Sequence, residues 1–203
     1  TANSGTVELR EAISTHMQRL YNMSYDPLDQ VLITVGVSEA LYLVMKSILE
    51  PGDEVLVVEP CFVANAAAVE MAGGVPVSVD TSPEVDFQVT GADLEAKVSP
   101  RTKAILISYP NNPTGAILTR EHMLQVAAFA EKYDLVVISD EIYERLVYGV
   151  EHIHFAGLPG MKERTMTLSG MSKSYAMTGW RIGYAVGPQA IIAAMKKLHQ
   201  YLI

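Results

Sequence analysis

The segment 168–184, LSGMSKSYAMTGWRIGY, has the residue types that most clearly suggest chemistry in this chain. It holds one lysine, Lys173, and one arginine, Arg181, among small and apolar residues. A lysine becomes nucleophilic when it is desolvated near another cation, and the planar guanidinium of arginine binds phosphate. We interpret the segment as the lining of a pocket, although Lys173 taken alone would more simply be a solvated side chain.

Other reactive side chains follow apolar runs of the sequence. Asp140 ends such a run, where a partly desolvated carboxylate needs a cationic partner, although a helix cap is the simpler interpretation. Tyr143 would lie beside Asp140 if the chain turns helically there. Asn112 lies in a proline-rich turn that is either functional or simply rigid. Phe62 could offer its face to a flat ring, but such residues are more often part of the core.

Short runs rich in valine and isoleucine alternate with helical patterns and predict the elements that position these residues. The predicted strands are 31–34, 55–58, 75–79, 104–108, 136–139, 165–168 and 182–186. The predicted helices are 39–49 after a Ser38 cap, 62–72, 120–132 after a Thr119 cap, and 189–201. We interpret 80–93 as a loop.

This alternation predicts an α/β fold, a three-layer sandwich in which helices cover both faces of a mainly parallel, roughly seven-stranded sheet. In such sheets, ligands bind beyond the carboxyl ends of the strands. The glycine turn at Gly36, between a strand and a helix, would offer backbone N–H groups and a positive dipole end to phosphate. An ordinary capped turn is the simpler alternative.

Composition limits the classes of partner. With 203 residues, of which 49% are hydrophobic, the chain can bury one large core. Its net charge of −8 argues against nucleic acid or an anionic membrane as a general partner. Cys61 is the single cysteine, and we identify no signal peptide or membrane-spanning run, so we expect a cytoplasmic protein.

Two histidines, His152 and His154, would share one face if they lay on a strand. Without a third ligand they indicate a metal site only weakly. We therefore expect a loop near the surface and no metal.

One ligand needs all of the chemical groups above, and it is pyridoxal phosphate. Its aldehyde needs a lysine amine, and its phosphate needs backbone N–H groups and an arginine. Its pyridine nitrogen must stay protonated if the ring is to accept electrons, which requires a carboxylate. The ring needs an aromatic face, and the phenolate oxygen needs hydrogen-bond donors.

The motifs SDEIY, PNNPTG, SGMSKSYAMTGWRIGY, PGDEVLV and GVSEAL are similar, in order and spacing, to those of the class I/II aminotransferases of fold type I. The resemblance covers essentially the whole chain and is greatest to bacterial and archaeal aspartate and aromatic aminotransferases. It implies cis peptide bonds at Glu59–Pro60 and Asn112–Pro113.

The resemblance also implies catalytic roles. Lys173 would form the internal Schiff base and then move the proton between Cα of the substrate and C4′ of the cofactor. Asp140 would pair with the pyridinium nitrogen, and Tyr143 and Asn112 would donate to the phenolate oxygen. Phe62 would stack on the ring.

For the phosphate, the resemblance implies Arg181 together with the backbone amides of Val37, Ser38 and Glu39. Many relatives carry a serine three residues before the lysine, where this chain has Gly170. We expect Ser172 to take over that role.

The implied activity is transamination between an amino acid and a 2-oxo acid by a homodimer. Residues 1–203 would be the large, cofactor-binding domain, and the small domain built from the terminal segments of relatives would be absent, so we expect low activity. Two alternatives stay open: other chemistry of the same fold, such as C–S lysis or decarboxylation, and a non-catalytic fragment for cofactor binding or dimerisation. The side chain of the substrate is not predicted.

Overall fold

The computed structural model describes residues 2–203, and within them one seven-stranded sheet forms the centre of the fold. The strands are β1 Val31–Thr34, β2 Glu54–Glu59, β3 Val75–Asp80, β4 Thr102–Ser108, β5 Val136–Asp140, β6 Thr165–Gly170 and β7 Gly183–Val186. Their spatial order is β1-β7-β6-β5-β4-β2-β3. The strands from β6 through β5, β4 and β2 to β3 pair in parallel, whereas β7 runs antiparallel to both β1 and β6.

Six α-helices accompany this sheet in the described residues. They are α1 Val7–Tyr21, α2 Gly36–Ile48, α3 Ala64–Ala72, α4 Gly91–Glu95, α5 Arg120–Lys132 and α6 Gln189–His199. None of these helices is long and apolar enough to cross a membrane.

Alternate residues of the central strands point into two different cores. On β2, Val57 packs in the core that contains side chains of α2, α3 and α6, whereas its neighbour Leu56 packs in the core that contains those of α4 and α5. Both side chains are almost completely buried. This two-residue period follows from the pleat of the strand and confirms the predicted three-layer α/β architecture.

Three elements differ from their prediction. Helix α1 was not predicted, because its buried positions include Arg10 beside Ile13 and Met17 and its apolar pattern is therefore weak. Helix α2 begins at Gly36, because the Glu39 carboxylate accepts the Val35 N–H and Ser38 falls inside the first turn.

The stretch predicted as a loop contains local structure. A 3₁₀ turn spans Pro83–Val85, and α4 begins at Gly91. The Thr90 hydroxyl accepts the Asp93 N–H, and the Asp93 carboxylate accepts the Thr90 N–H, so a capping box starts this helix within a polar sequence.

Candidate active site

A cavity of about 200 Å³ opens beyond the carboxyl ends of the parallel strands. Asp140 is the last residue of β5 and Ser108 the last of β4, whereas Val37 and Lys173 follow β1 and β6 within three residues. The lining consists of Val37, Ser38, Leu41, Phe62, Ala64, Asn65, Ser108, Asn112, Asp140, Ile142, Tyr143, Ser172, Lys173, Thr178 and Arg181. Every site residue predicted from the sequence, with the exception of Glu39, lies in this lining.

Asp140 lies at the buried end of the cavity. Its side chain is 7% exposed, and its Oδ1 accepts the N–H of Ile142 at 3.1 Å. Burial raises the pKa of Asp140 to about 6; the hydrogen bond from Ile142 lowers it in part, and the charge of Glu141 adds to the rise. No cationic side chain of residues 2–203 forms an ion pair with Asp140, so its carboxylate is available to a cation in the cavity.

Lys173 and Tyr143 lie together at the open side of the cavity. The Lys173 Nζ is 5.7 Å from the centroid of the Tyr143 ring, within the range of a cation–π contact. Lys173 lies in a turn that a hydrogen bond from the Ala176 N–H to the Lys173 carbonyl closes at 3.1 Å. The lysine is exposed, so the desolvation expected from the sequence is not provided by the residues that the structure describes.

The Arg181 guanidinium lies against the start of α2. Its Nη1 donates to the Thr178 carbonyl at 2.9 Å and to the Ser172 hydroxyl at 3.3 Å. A Cβ atom at Gly36, where φ is +76°, would lie 2.3 Å from Arg181 Nη2, and a Cβ atom at Gly183 would lie 2.4 Å from the Gly36 carbonyl carbon. Glycines at positions 36 and 183 therefore allow the Arg181 guanidinium and β7 to lie close to the first residue of α2. The guanidinium thus lies beside the positive end of the helix dipole.

The N–H groups at the start of α2 differ from the predicted set by one residue. Because the helix begins at Gly36, the N–H groups of Gly36, Val37 and Ser38 have no acceptor within the helix. The Glu39 carboxylate caps the Val35 N–H and hydrogen-bonds with His199 at 3.1 Å. Like Gly36, Glu39 lies outside the cavity lining, and a role of its backbone N–H in phosphate binding stays a prediction.

The proline-rich turn after β4 separates the roles of two adjacent asparagines. Asn111 is buried, and its Nδ2 donates to the carbonyls of Pro60 at 3.0 Å and Ser108 at 3.2 Å. Asn112 lines the cavity instead. The peptide bonds at Glu59–Pro60 and Asn112–Pro113 are cis, as expected, and so is Tyr109–Pro110.

Three polar residues of the cavity lining, Ser108, Thr178 and Asn65, were not predicted from the sequence. The most buried of the three is Asn65. It occupies a stripe of buried positions on α3 with Ala68, Val69 and Ala72. An asparagine at the core spacing of a helix is a signal that the sequence contains and that could have identified it.

His152 and His154 lie in a loop, as predicted, but the expectation that this loop places them near the surface is wrong. Their side chains are 6% and 2% exposed, and both contact Glu141 Oε2, at 2.7 Å from His152 Nε2 and 2.9 Å from His154 Nδ1. The Ser139 hydroxyl, at 2.8 Å, and the Phe155 N–H, at 3.1 Å, donate to Oε1 of the same carboxylate. The two histidines are buried because Glu141 provides the polar partner that they need.

Charge stabilises this buried cluster. Burial alone would raise the pKa of Glu141, but the two adjacent imidazoles outweigh it and hold the pKa well below its usual range. Burial would likewise lower the pKa of His152, and the Glu141 carboxylate overcomes this effect and raises it. Glu141 is therefore a carboxylate at neutral pH, and His152 stays cationic to a higher pH than a free histidine.

Glu144 extends the cluster toward α1. Its Oε1 lies 3.2 Å from His16 Nε2, and its Oε2 accepts the Tyr21 hydroxyl. Ligand atoms of Glu141, Glu144 and His152 lie within 4.8 Å of one another, a spacing that a metal ion could use. Protein donors already occupy both oxygens of each carboxylate, so the cluster is satisfied by hydrogen bonds alone.

Comparison with known proteins identifies relatives over the whole chain. The family model described as aminotransferase class I and II matches residues 1–203. The aromatic-amino-acid aminotransferase 2 of Thermococcus litoralis is 42% identical over 200 residues, which cover 98% of this chain and 51% of that protein. The aspartate aminotransferase of Pyrococcus abyssi has the same identity and the same coverage of both chains.

The fold matches solved structures equally well. The crystal structure of an aromatic aminotransferase from Pyrococcus horikoshii OT3 superposes with a TM-score of 0.97 at 40% identity, covering 99% of this chain and 54% of that one. The chain spans about half the length of the curated relatives that it matches.

Proposed function

Because the chain belongs to the aminotransferase class I and II family, we propose that it holds the pyridoxal 5′-phosphate site of an enzyme that moves an amino group from an amino acid to a 2-oxo acid. Residues 1–203 would serve as its cofactor-binding domain. The observation that carries this proposal is that one cavity is lined by Lys173, Asp140 and Arg181, an amine, a buried carboxyl and a guanidinium.

The residues of the cavity fit the cofactor in three respects. The guanidinium and the first turn of α2 suit a phosphate, the Asp140 carboxyl suits a protonated ring nitrogen, and the Lys173 amine suits an aldehyde. The buried side-chain amide of Asn65 also lacks a hydrogen-bond partner. When bound, pyridoxal phosphate supplies an electron sink that makes the Cα–H of an amino acid acidic.

Lys173 would carry the covalent attachment. Among the described residues, its Nζ is the one amine in the cavity lining. This amine would hold the cofactor through its aldehyde group. Once displaced by an amino acid substrate, the same Nζ would serve as the base that takes the Cα proton.

Asp140, Tyr143 and Asn112 would hold the ring. A cation opposite Asp140 favours its charged form, so the raised pKa would fall on binding and the carboxylate would keep a ring nitrogen protonated. The Tyr143 hydroxyl and the Asn112 amide can donate hydrogen bonds to a phenolate oxygen. Phe62, which is 43% exposed at the cavity, would cover one face of the ring.

The phosphate would be held by Arg181, the Ser172 hydroxyl and the N–H groups of Val37 and Ser38. Gly36 would provide the third N–H in place of Glu39, because α2 begins at Gly36. The Glu39 carboxylate would support the site only indirectly, through its cap on Val35.

Covalent capture tests the site. The protein is incubated with pyridoxal phosphate, reduced with borohydride, digested and mapped by mass spectrometry. We expect one adduct, on Lys173, in the wild type and in Lys97→Ala, since Lys97 is exposed outside the cavity, and none in Lys173→Ala. An adduct that persists in Lys173→Ala would refute the proposed attachment.

A single-turnover reaction separates transamination from the alternatives. Addition of an amino acid should convert the bound cofactor to its pyridoxamine form and release the matching 2-oxo acid. Release of a thiol or of carbon dioxide would indicate lyase or decarboxylase chemistry. Binding of the cofactor without conversion would indicate a non-catalytic domain.

The names of relatives leave the substrate side chain open. Proteins named for aromatic amino acids and for aspartate match with the same identity of 42%. We therefore propose only the class, an amino acid with a 2-oxo acid, and a panel of aromatic and acidic substrates in the single-turnover reaction tests the choice.

We also propose a homodimer with the cavity near the subunit interface. Three strongly exposed apolar residues lie within two positions of cavity-lining residues: Val35, Val63 and Trp180 are 49%, 83% and 71% exposed. Exposed apolar side chains around a polar cavity favour burial against a partner. Sedimentation equilibrium should give twice the chain mass, and Trp180→Glu with Val63→Glu should reduce it to the mass of a monomer.

A further inference from the structure

Asn65 is a buried polar residue without a partner. Its side chain is 1% exposed, and neither its Nδ2 nor its Oδ1 makes a hydrogen bond within residues 2–203. An amide that is buried with neither group paired destabilises the folded protein, because both groups lose their bonds to water. A residue with this cost needs a compensating role.

The position of Asn65 directs the side chain into the cavity. Its backbone N–H donates to the Phe62 carbonyl at 2.9 Å, which fixes the first turn of α3. The side chain then lines the same cavity as Asp140 and Ser108. The other unpartnered buried groups of the described residues, on Arg10, Thr165 and Thr167, lie outside this lining. Asn65 therefore combines an unpaired amide with access to a ligand.

The Cys61 thiol interacts with the Asn65 amide, but it is a poor hydrogen-bond partner. Burial raises the pKa of Cys61 to about 12, and Glu59 adds to this effect while Asn65 opposes it, so the group stays a neutral thiol. Its Sγ lies 3.5 Å from the Phe62 carbonyl, to which it donates. A neutral thiol is a weak donor and acceptor and cannot satisfy a primary amide.

We propose that Asn65 is an additional cofactor-binding residue, whose side-chain amide gains its hydrogen bonds from a ligand ring held beside Asp140. The inference rests on the proposed function for the identity of that ligand. An amide offers both donors and an acceptor, so it suits the polar edge of a heteroaromatic ring. The unpaired amide would then destabilise the folded protein only when no cofactor is bound.

The substitution Asn65→Leu tests this, because leucine has the same branching and the same number of side-chain heavy atoms but no polar atoms. We expect the melting temperature of the cofactor-free protein to rise by about 2–4 °C, since an unpaired buried amide is removed. We also expect the Kd of pyridoxal phosphate, measured from the absorbance of the bound form, to rise by roughly three- to tenfold.

Thr167→Val is the matched control. Its hydroxyl is also buried and unpartnered, but it lies outside the cavity lining. We expect a higher melting temperature and an unchanged Kd. Asn65→Ala, which cannot overpack the site, should weaken binding to the same extent even if Asn65→Leu fails to fold.

Two results would overturn the inference. One is a Kd in both Asn65 variants equal to that of the wild type, and the other is a lower melting temperature for Asn65→Leu with unaltered binding, which would make the amide merely structural. Failure of the proposed function is distinguishable from either, because the wild type would then show no adduct on Lys173.

Discussion

Asp140 and Glu141 are consecutive buried carboxyl groups whose pKa values are displaced in opposite directions. Asp140 faces the cavity, and burial raises its pKa to about 6. Glu141 points away from the cavity, and despite its burial the imidazoles of His152 and His154 lower its pKa. Asp140 ends β5 and Glu141 is the first residue after it, so one carboxyl stays available to a ligand while its neighbour is used by the fold.

The free energy of unfolding of the cofactor-free protein should fall as pH rises through the Asp140 titration. The folded pKa, about 6, exceeds the unfolded value of 3.8, so the folded state binds more protons between these values. By linkage, about 3 kcal/mol of stability present below pH 3.8 is lost once the pH exceeds 6. Urea unfolding between pH 4 and 8 should show this fall relative to Asp140→Asn, and parallel profiles for the two proteins would contradict it.

Glu141→Gln should destabilise the protein strongly. The change removes a buried negative charge beside two histidines, and breaking a buried ion pair costs about 3–5 kcal/mol. Glu95→Gln is the control, because Glu95 pairs with Lys132 at the surface, where solvent screening leaves an ion pair little effect on stability. Denaturant unfolding measures both, and equal losses in the two variants would show that the Glu141 cluster is not stabilising.

Wild-type stability should also fall as the pH rises above 6.5, because of His152. Glu141 and Glu144 raise its pKa above 6.5, against burial and the charge of Arg145. A raised histidine pKa contributes stability that is fully present below the unfolded value of 6.5 and is lost as pH rises through the folded value. His152→Gln should lack this loss; ¹H–¹³C NMR of the imidazole should show the raised pKa directly, and a midpoint below 6.5 would contradict the assignment.

Gly36→Ala should weaken anion binding. The new Cβ would lie 2.3 Å from Arg181 Nη2, and the guanidinium, at the end of a flexible side chain, would have to move. We expect the Kd of pyridoxal phosphate to rise by about tenfold or more, as for loss of a charge-assisted hydrogen bond.

Gly52→Ala isolates this effect from backbone strain. Gly52 also has a positive φ, +88°, but no atom lies within 4 Å of its added Cβ. Both alanines should lower stability by about 1 kcal/mol, because L-residues disfavour this region. Calorimetric titration should show weaker binding in Gly36→Ala alone, and equal affinities in the two variants would argue against the anion site.

The strands, and the sheet edge at which their carboxyl ends lie, could be predicted because the local pattern of apolar residues determines them. Buried parallel strands are runs of β-branched residues, and the residues that follow such runs must meet at one edge. Asp140, Asn112 and Lys173 lie at this edge for that reason.

The remaining features depend on contacts between distant segments. His152 and His154 are buried only because the chain after β5 folds back over Glu141. Helix α1 contains a buried arginine whose Nη1 donates to the Pro27 carbonyl, a compensation that its own sequence does not reveal. The start of α2 was displaced because two residues, Ser38 and Glu39, were each able to cap it, and tertiary packing selected Glu39.

The antiparallel direction of β7 explains how two cationic side chains reach the cavity. A parallel seventh strand would begin at the far edge of the sheet and would need a long crossover after β6. Because β7 starts beside the end of β6, the short connection 171–182 stays at the ligand-binding edge of the sheet. Lys173 lies near the beginning of this connection and Arg181 near its end. One hairpin thus supplies both cations, and their separation is set by a dozen residues of local chain instead of by the assembly of the whole domain.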